Sequence, residues 1–184
     1  MPEGTVVFEG SYNGADIVVR HVRRNDIEQL LTFINTLSKE QTYIRVQGEQ
    51  LTMDEENRYM DNFMYKVGLN RAIKLLVFHE GELIAVADIA CQDKVESHVG
   101  VFGITVKKEW RGKGIGTLLM RKTIEEGVKH IEGLKIITLG VFGNNPIAKE
   151  LYEKMGFKEY GLLPRGIRHK GEFVDHVWMY REVV

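Results

Sequence analysis

The order of elements predicts one α/β (α+β) domain built on a mixed sheet. Three observations carry that expectation. Short β-rich runs around turn signals open and close the chain, which predicts antiparallel hairpins. Between them come a strand, a long amphipathic helix, a second strand and a second helix, the pattern of a crossover unit. At 184 residues the chain is long enough to bury one core. No linker, repeat or low-complexity segment divides it, so residues 1–184 are read as a single domain.

Thr5–Phe8 and Ile17–Val22 read as two short strands around the Asn13-Gly14 turn. Residues 1–15 thus form an extra N-terminal strand or hairpin. Asn25-Asp26 can cap a helix carrying Ile27, Leu30, Leu31, Ile34 and Leu37 at helical spacing. Gln41–Thr52 has weak periodicity and reads as a loop or a short helix. Thr52 or Asp54 opens a second helix with Tyr59, Met60, Phe63, Met64 and Val67 on one stripe, stopped by Gly68 or Asn70. Ala72–Phe78 and Leu83–Ala90 flank a Gly81 turn and predict a hairpin.

Val95–Val106 reads as the next strand. Val99 and Val101 share one face, whereas Phe102, Ile104 and Val106 share the other. Next to Gly103 that pattern fits a β-bulge, and it fits equally a strand covered on both faces. From Ile115 a helix carries Leu118, Leu119, Ile124, Val128 and Ile131 and ends near Gly133. Leu134–Phe142 is a strand, and Asn145-Pro146 caps a helix expected to bury Ile147, Ala148, Leu151 and Met155. Two strand-like runs around His169–Glu172 complete the chain.

Composition excludes several classes. Hydrophobic residues make up 43% and charged residues 28%, with a formal net charge of −1, so no global positive field favours nucleic acid. The single cysteine, Cys91, cannot form an internal disulfide and fits a reducing, cytoplasmic setting. No basic n-region or long apolar run predicts a signal peptide or a membrane span. The six histidines are scattered without ligand spacing, so no metal site is expected.

The chemical signal lies at Arg111-Gly-Lys-Gly-Ile-Gly-Thr117. A strand runs into this basic glycine turn and a helix runs out of it. Bare amides at the positive end of a helix dipole suit an anion, and glycines let phosphate oxygens approach. The spacing matches neither a P-loop nor a dinucleotide fingerprint. A plain helix cap with solvated Arg111 and Lys113 is the simpler alternative.

Arg111-x-x-Gly114-x-Gly116 after a strand, followed by Asn145-x-x-Ala148-x-x-Leu151-Tyr152-x-x-x-Gly156-Phe157, resembles the GNAT family of N-acetyltransferases. The resemblance spans roughly Ala72 to Tyr180. It implies a central, mostly antiparallel mixed sheet flanked by helices, with one splayed parallel strand pair. It implies acetyl-CoA as cosubstrate, with residues 104–157 as the cofactor-binding core. The pyrophosphate would lie on Arg111, Gly112, Lys113, Gly114, Ile115, Gly116 and Thr117. Pantetheine would lie along the main chain of Ile104, Thr105 and Val106, across from Ile136–Val141, bordered by Asn145, Ala148 and Tyr152. Trp110 reads as packing beneath the loop or as an adenine stack.

Acetyl transfer to an amine needs a proton for the departing thiolate and a base for the amine. The family resemblance puts Tyr152 in the role of acid. For the base, family members often use a glutamate on the strand entering the loop, but Gly100 and Phe102 stand there. Glu96 and His98 are the candidates instead, with His98 on the same alternating face as Ile104 and histidine a residue type suited to taking a proton near neutral pH. Asp88 is a further candidate. Asp54, Glu55, Glu56 and Asp61 read as the solvated start of a helix, or as groups that attract a cationic acceptor. The acceptor is expected to be a primary amine of an amino acid, small amine or polyamine. The alternatives are a protein N-terminus or lysine, or a non-catalytic acyl-CoA sensor. The extra N-terminal strand offers an edge for a homodimer.

Overall fold

The computed structural model describes residues 3–183, so Met1, Pro2 and Val184 of the one-domain reading lie outside the described residues. Strands β1 (Val6–Tyr12) and β2 (Ala15–His21) form the first hairpin. Asn13 and Gly14 turn its corner at φ 48° and 85°, the left-handed pair that a two-residue hairpin turn demands. Helices α1 (Ile27–Lys39) and α2 (Met53–Gly68) follow, then the hairpin of β3 (Ala72–His79) and β4 (Glu82–Cys91). Next come β5 (Val99–Val106), α3 (Ile115–His130), β6 (Ile136–Phe142), α4 (Pro146–Lys154), β7 (Lys158–His169) and β8 (Glu172–Glu182).

The strands join in one eight-stranded sheet of order β1-β2-β3-β4-β5-β6-β8-β7. Only β5 and β6 run parallel. Helix α3 covers one face of β3, β4 and β5, while α1 and α2 cover the other. Both faces of the central strands are therefore apolar. Ile73, Leu75 and Val77 enter the core under α3, whereas Leu76 and Phe78 meet Leu30, Phe33 and Met60 on the other side. Strand β3 is buried from Ala72 to Phe78, and Lys74 lies within that run.

Local chemistry explains most boundaries. The Thr52 hydroxyl accepts the Glu55 amide and the Glu55 carboxylate accepts the Thr52 amide at 2.8 Å, a reciprocal cap that starts α2. Pro146 stands in the first turn of α4, and Asn145 accepts the Ala148 amide at 3.2 Å. The acidic cap expected for α1 does not form. Asp26 is held by Arg20 at 2.8 and 2.6 Å and accepts the Arg23 amide, so its carboxylate serves a buried ion pair.

Three expectations need correction. Strand β5 begins at Val99 because Lys94–Glu96 coil into a 3-10 turn. It contains no bulge: its register with β4 runs unbroken from Val106↔Ala85 to Gly100↔Cys91. Cover on both faces produces the pattern instead, with Phe102, Ile104 and Val106 on the α3 side and Gly103 and Thr105 on the other. Three stripe residues also stay out of the core: Tyr59 and Val128 are half exposed, and Ile147 is 82% exposed because its side of α4 faces a cavity. Among the described residues no helix is long and apolar enough to cross a membrane.

Candidate active site

The glycine loop starts where β5 ends. A 3-10 turn, Lys108–Trp110, leads through Arg111 to Gly112 and Gly114, both in the left-handed region at φ 73° and 78°. Helix α3 begins immediately after, at Ile115. Among the described residues no acceptor faces the backbone amides of residues 112–117. Six N–H groups without an acceptor at the start of a sixteen-residue helix suit an anion, to which the helix dipole adds positive potential. Arg111 is steered by Val106, whose carbonyl accepts its Nε–H at 2.8 Å, and pairs with Glu40 at 2.7 Å. Trp110 packs against His79 with the rings tilted and carries the Lys113 ammonium over its ring at 4.7 Å, so it supports the loop from below.

The space beside the loop comes from how little β5 and β6 pair. They share three positions, Val99↔Ile136 to Val101↔Thr138. Past that point β5 bonds only to β4, and β6 only to β8. A cavity of about 340 Å³ fills the opening. Arg111, Gly112 and Gly116 form one end, Ile104–Val106 form a wall, and Asn145, Ala148, Leu151 and Tyr152 close it from α4. Asn145 therefore caps α4 and borders the cavity at once.

Tyr152 is the inner group of this cavity. It is 8% exposed, its ring packs on Phe157, and Phe157 packs on Phe102 of β5. Its hydroxyl makes no hydrogen bond among the described residues. Burial alone pushes its pKa up to about 12, because the phenolate loses its hydration. The side chain is a fixed, protonated phenol facing an apolar slot.

The model of the acetyltransferase (GNAT) family matches residues 33–157. The chain belongs to the GNAT family. It is similar to the L-amino acid N-acetyltransferase AaaT of Escherichia coli (strain K12), with 26% identity over 91% of this chain and 98% of the relative. Among solved structures, a GNAT-family acetyltransferase of Streptococcus pneumoniae superposes with a TM-score of 0.81. Its identity is 26%, and the match covers 91% of this chain and 99% of that one. The fold is shared with yncA of Salmonella typhimurium, solved with its cofactor acetyl-CoA, at a TM-score of 0.74 and 15% identity over 91% and 94% of the two chains. The protein is thus a GNAT N-acetyltransferase with the expected sheet and splayed strand pair.

Not every expected residue of this GNAT enzyme reaches the cavity. Ile104, Thr105, Val106, Arg111, Gly112, Gly116, Asn145, Ala148 and Tyr152 line it, whereas Lys113, Gly114, Ile115 and Thr117 do not. Ile115 turns into the core, and Gly114 packs against Tyr12 and Asn13 of the first hairpin. Glu96 and His98 lie elsewhere. Both are exposed, and the His98 carbonyl accepts the Lys135 and Ile136 amides at the closed end of the β5–β6 pair. Six residues of extended strand separate His98 from Ile104, roughly 20 Å. His98 has the right parity and the wrong end of the strand.

Two features escaped the sequence. The loop between α1 and α2 roofs the cavity through Thr42, Tyr43 and Ile44, and Tyr43 donates to the Asn144 carbonyl at 3.1 Å while its ring meets Phe142 and His169. No periodicity marks this segment. The second is the burial of Glu56, which the sequence groups with Asp54, Glu55 and Asp61 as a solvated helix start or an attractor of a cationic acceptor. Asp54, Glu55 and Asp61 are exposed, but Glu56 is only 6% exposed. Its position four residues before Met60 and seven before Phe63 extends the apolar stripe, a signal readable in retrospect. Among the described residues no group of three or more His, Cys, Asp or Glu side chains is placed to hold a metal.

Proposed function

We propose that this GNAT enzyme moves the acetyl group of acetyl-CoA to a primary amine of an amino acid, small amine or polyamine. The observation that carries the reading is the continuous slot from Arg111, Gly112 and Gly116 of the glycine loop, along Ile104–Val106, to Tyr152. The residues fit the cofactor. The cradle suits a diphosphate, Arg111 and Lys113 add charge, and the unpaired side of β5 can bond to the amides of an extended arm as an added strand would. The thioester supplies an activated acetyl group with a thiolate as leaving group. Tyr152 gives its proton to the sulfur as it departs, and the apolar slot around it excludes water that would hydrolyse the thioester. The relation to the L-amino acid N-acetyltransferase of Escherichia coli supports the amino-acid class of acceptor.

Two measurements test this. Acetyl-CoA raises the melting temperature at saturation, and the absence of any shift refutes the cofactor. Release of free CoA, scanned across amino acids, small amines, polyamines and peptides, then identifies the acceptor class. Release with peptides alone replaces the small-molecule reading with a protein acetyltransferase, and silence across the whole panel leaves an acyl-CoA sensor.

A further inference from the structure

A second cavity, about 200 Å³, lies on the opposite face of β5, enclosed by α1, α2, β3 and β4. Ile104 and Thr105 line both cavities, so the two border the same stretch of the strand that walls the acetyl slot. The polar side chains of the second cavity are Glu56, Tyr59, Lys74 and Asp88.

These groups are not equally engaged. Lys74 lies 3.2 Å from Asp88, donates to the Tyr59 hydroxyl at 3.0 Å, and sits over the rings of Tyr59 and Phe63 at 4.5 and 4.4 Å. Glu56 has no hydrogen bond or ion pair through its side chain among the described residues, although it is only 6% exposed. A carboxylate largely withdrawn from water with no hydrogen bond costs stability, and the turn of α2 that carries it would form as well with an apolar residue there. Charges add to the same point. With Glu56 and Asp88 negative and Lys74 positive, the cavity lacks one positive charge of neutrality.

We infer that Glu56 binds the ammonium of the acceptor and takes its proton, the acceptor being a primary amine whose apolar body packs on Leu30, Phe33 and Ile34. This rests on the acetyl-transfer reading above. Glu56 removes one proton from the ammonium. The freed nitrogen bonds to the acetyl carbon, the carbon–sulfur bond breaks, and the sulfur keeps the bonding pair and takes the Tyr152 proton. One of the two protons on the new amide nitrogen restores the Tyr152 phenol, the other stays on the amide, and Glu56 returns its proton to solvent. Burial makes Glu56 a stronger base than an exposed glutamate by raising its pKa, an effect that nearby Lys74 opposes. Its surroundings are Tyr59 on its own helix, Lys74 on β3 and Asp88 on β4, while α1 and β5 present no charged group.

The test compares the wild type with Glu56→Gln and Glu56→Asp. L-leucine and 3-methylbutylamine serve as probes, sharing one apolar body with and without a carboxylate. Glu56→Gln is expected to keep its acetyl-CoA affinity by calorimetry, to lose calorimetric binding of the amine, and to drop about 100-fold or more in kcat/KM. The acidic limb of its pH profile disappears. Glu56→Asp, which keeps the charge, retains the limb with a smaller loss. A Gln variant with wild-type amine binding or a wild-type pH profile overturns the assignment. Should that variant fail to fold, unchanged amine affinity in Glu56→Asp overturns it instead. A wild type that binds acetyl-CoA yet releases no CoA with any amine overturns the transfer reading along with this one. Turnover indifferent to Glu56 overturns only this one.

Discussion

Asn13 donates its side-chain amide to the Lys113 carbonyl at 3.0 Å, joining positions 100 residues apart. The tip of the first hairpin thereby supports the glycine loop. Beside this contact Gly114 sits at φ 78°, and a Cβ there would approach the Asn13 Nδ2 to 2.7 Å. Gly114→Ala combines a left-handed conformation, costing about 1–2 kcal/mol, with that clash. The expected result is a lower melting temperature and weaker acetyl-CoA binding by calorimetry. Wild-type values for both would show that the hairpin yields freely.

Tyr152→Phe removes a hydroxyl that has no partner among the described residues, so stability should hold or rise slightly. Turnover is expected to fall about 100-fold while acetyl-CoA affinity stays near wild type. A phenol whose pKa is pushed up to about 12 keeps its proton throughout the physiological range. Hence no loss of kcat from its ionisation should appear below about pH 10. Unchanged kcat in the Phe variant removes Tyr152 as the acid.

Glu40 draws Arg111 toward the end of α1 at 2.7 Å, in competition with any anion on the loop. Glu40→Gln should tighten acetyl-CoA binding modestly, within the ~0.2–1 kcal/mol typical of partly exposed pairs, and more at low salt than at high salt. Weaker binding in this variant would mean that Glu40 positions Arg111 for the anion.

His21 is buried and touches Glu126 at 2.8 Å, and His130 reaches the same carboxylate at 3.1 Å. Burial holds the His21 pKa below its ordinary 6.5, outweighing the pull of Glu126. The unfolded chain therefore binds a proton that the folded chain refuses, and stability is lost as pH falls below about 6.5. Burial would raise the Glu126 pKa, yet His21 lowers it overall, which adds a further loss below about 4.5. Melting temperature should decline from about pH 7 to 5, and His21→Gln should flatten that slope. An equal slope in both proteins places the effect elsewhere.

Elements with a chemical signature at both ends were legible as sequence. Asn13-Gly14, the Thr52 and Glu55 pair, Asn145-Pro146 and the alternating glycines each act over a few residues, so position in the chain suffices to read them. The anion cradle belongs to this group, since strand, loop and helix are contiguous. So does the acetyltransferase family itself, carried by two short motifs in order.

Distances across the fold were not legible. Glu55 and Glu56 are identical neighbours, and docking of α2 on β3 decides that one is solvated while the other faces Lys74 and Asp88. His98 and Ile104 share a face of β5, but which end of that strand opens depends on where its pairing with β6 stops. The roof over the slot depends on Tyr43 reaching Asn144, 101 positions away. Local backbone chemistry set the pieces and the glycine loop with its free amides. Long-range pairing and burial, which no short stretch encodes, decided where the slot opens and which carboxylate stands beside it.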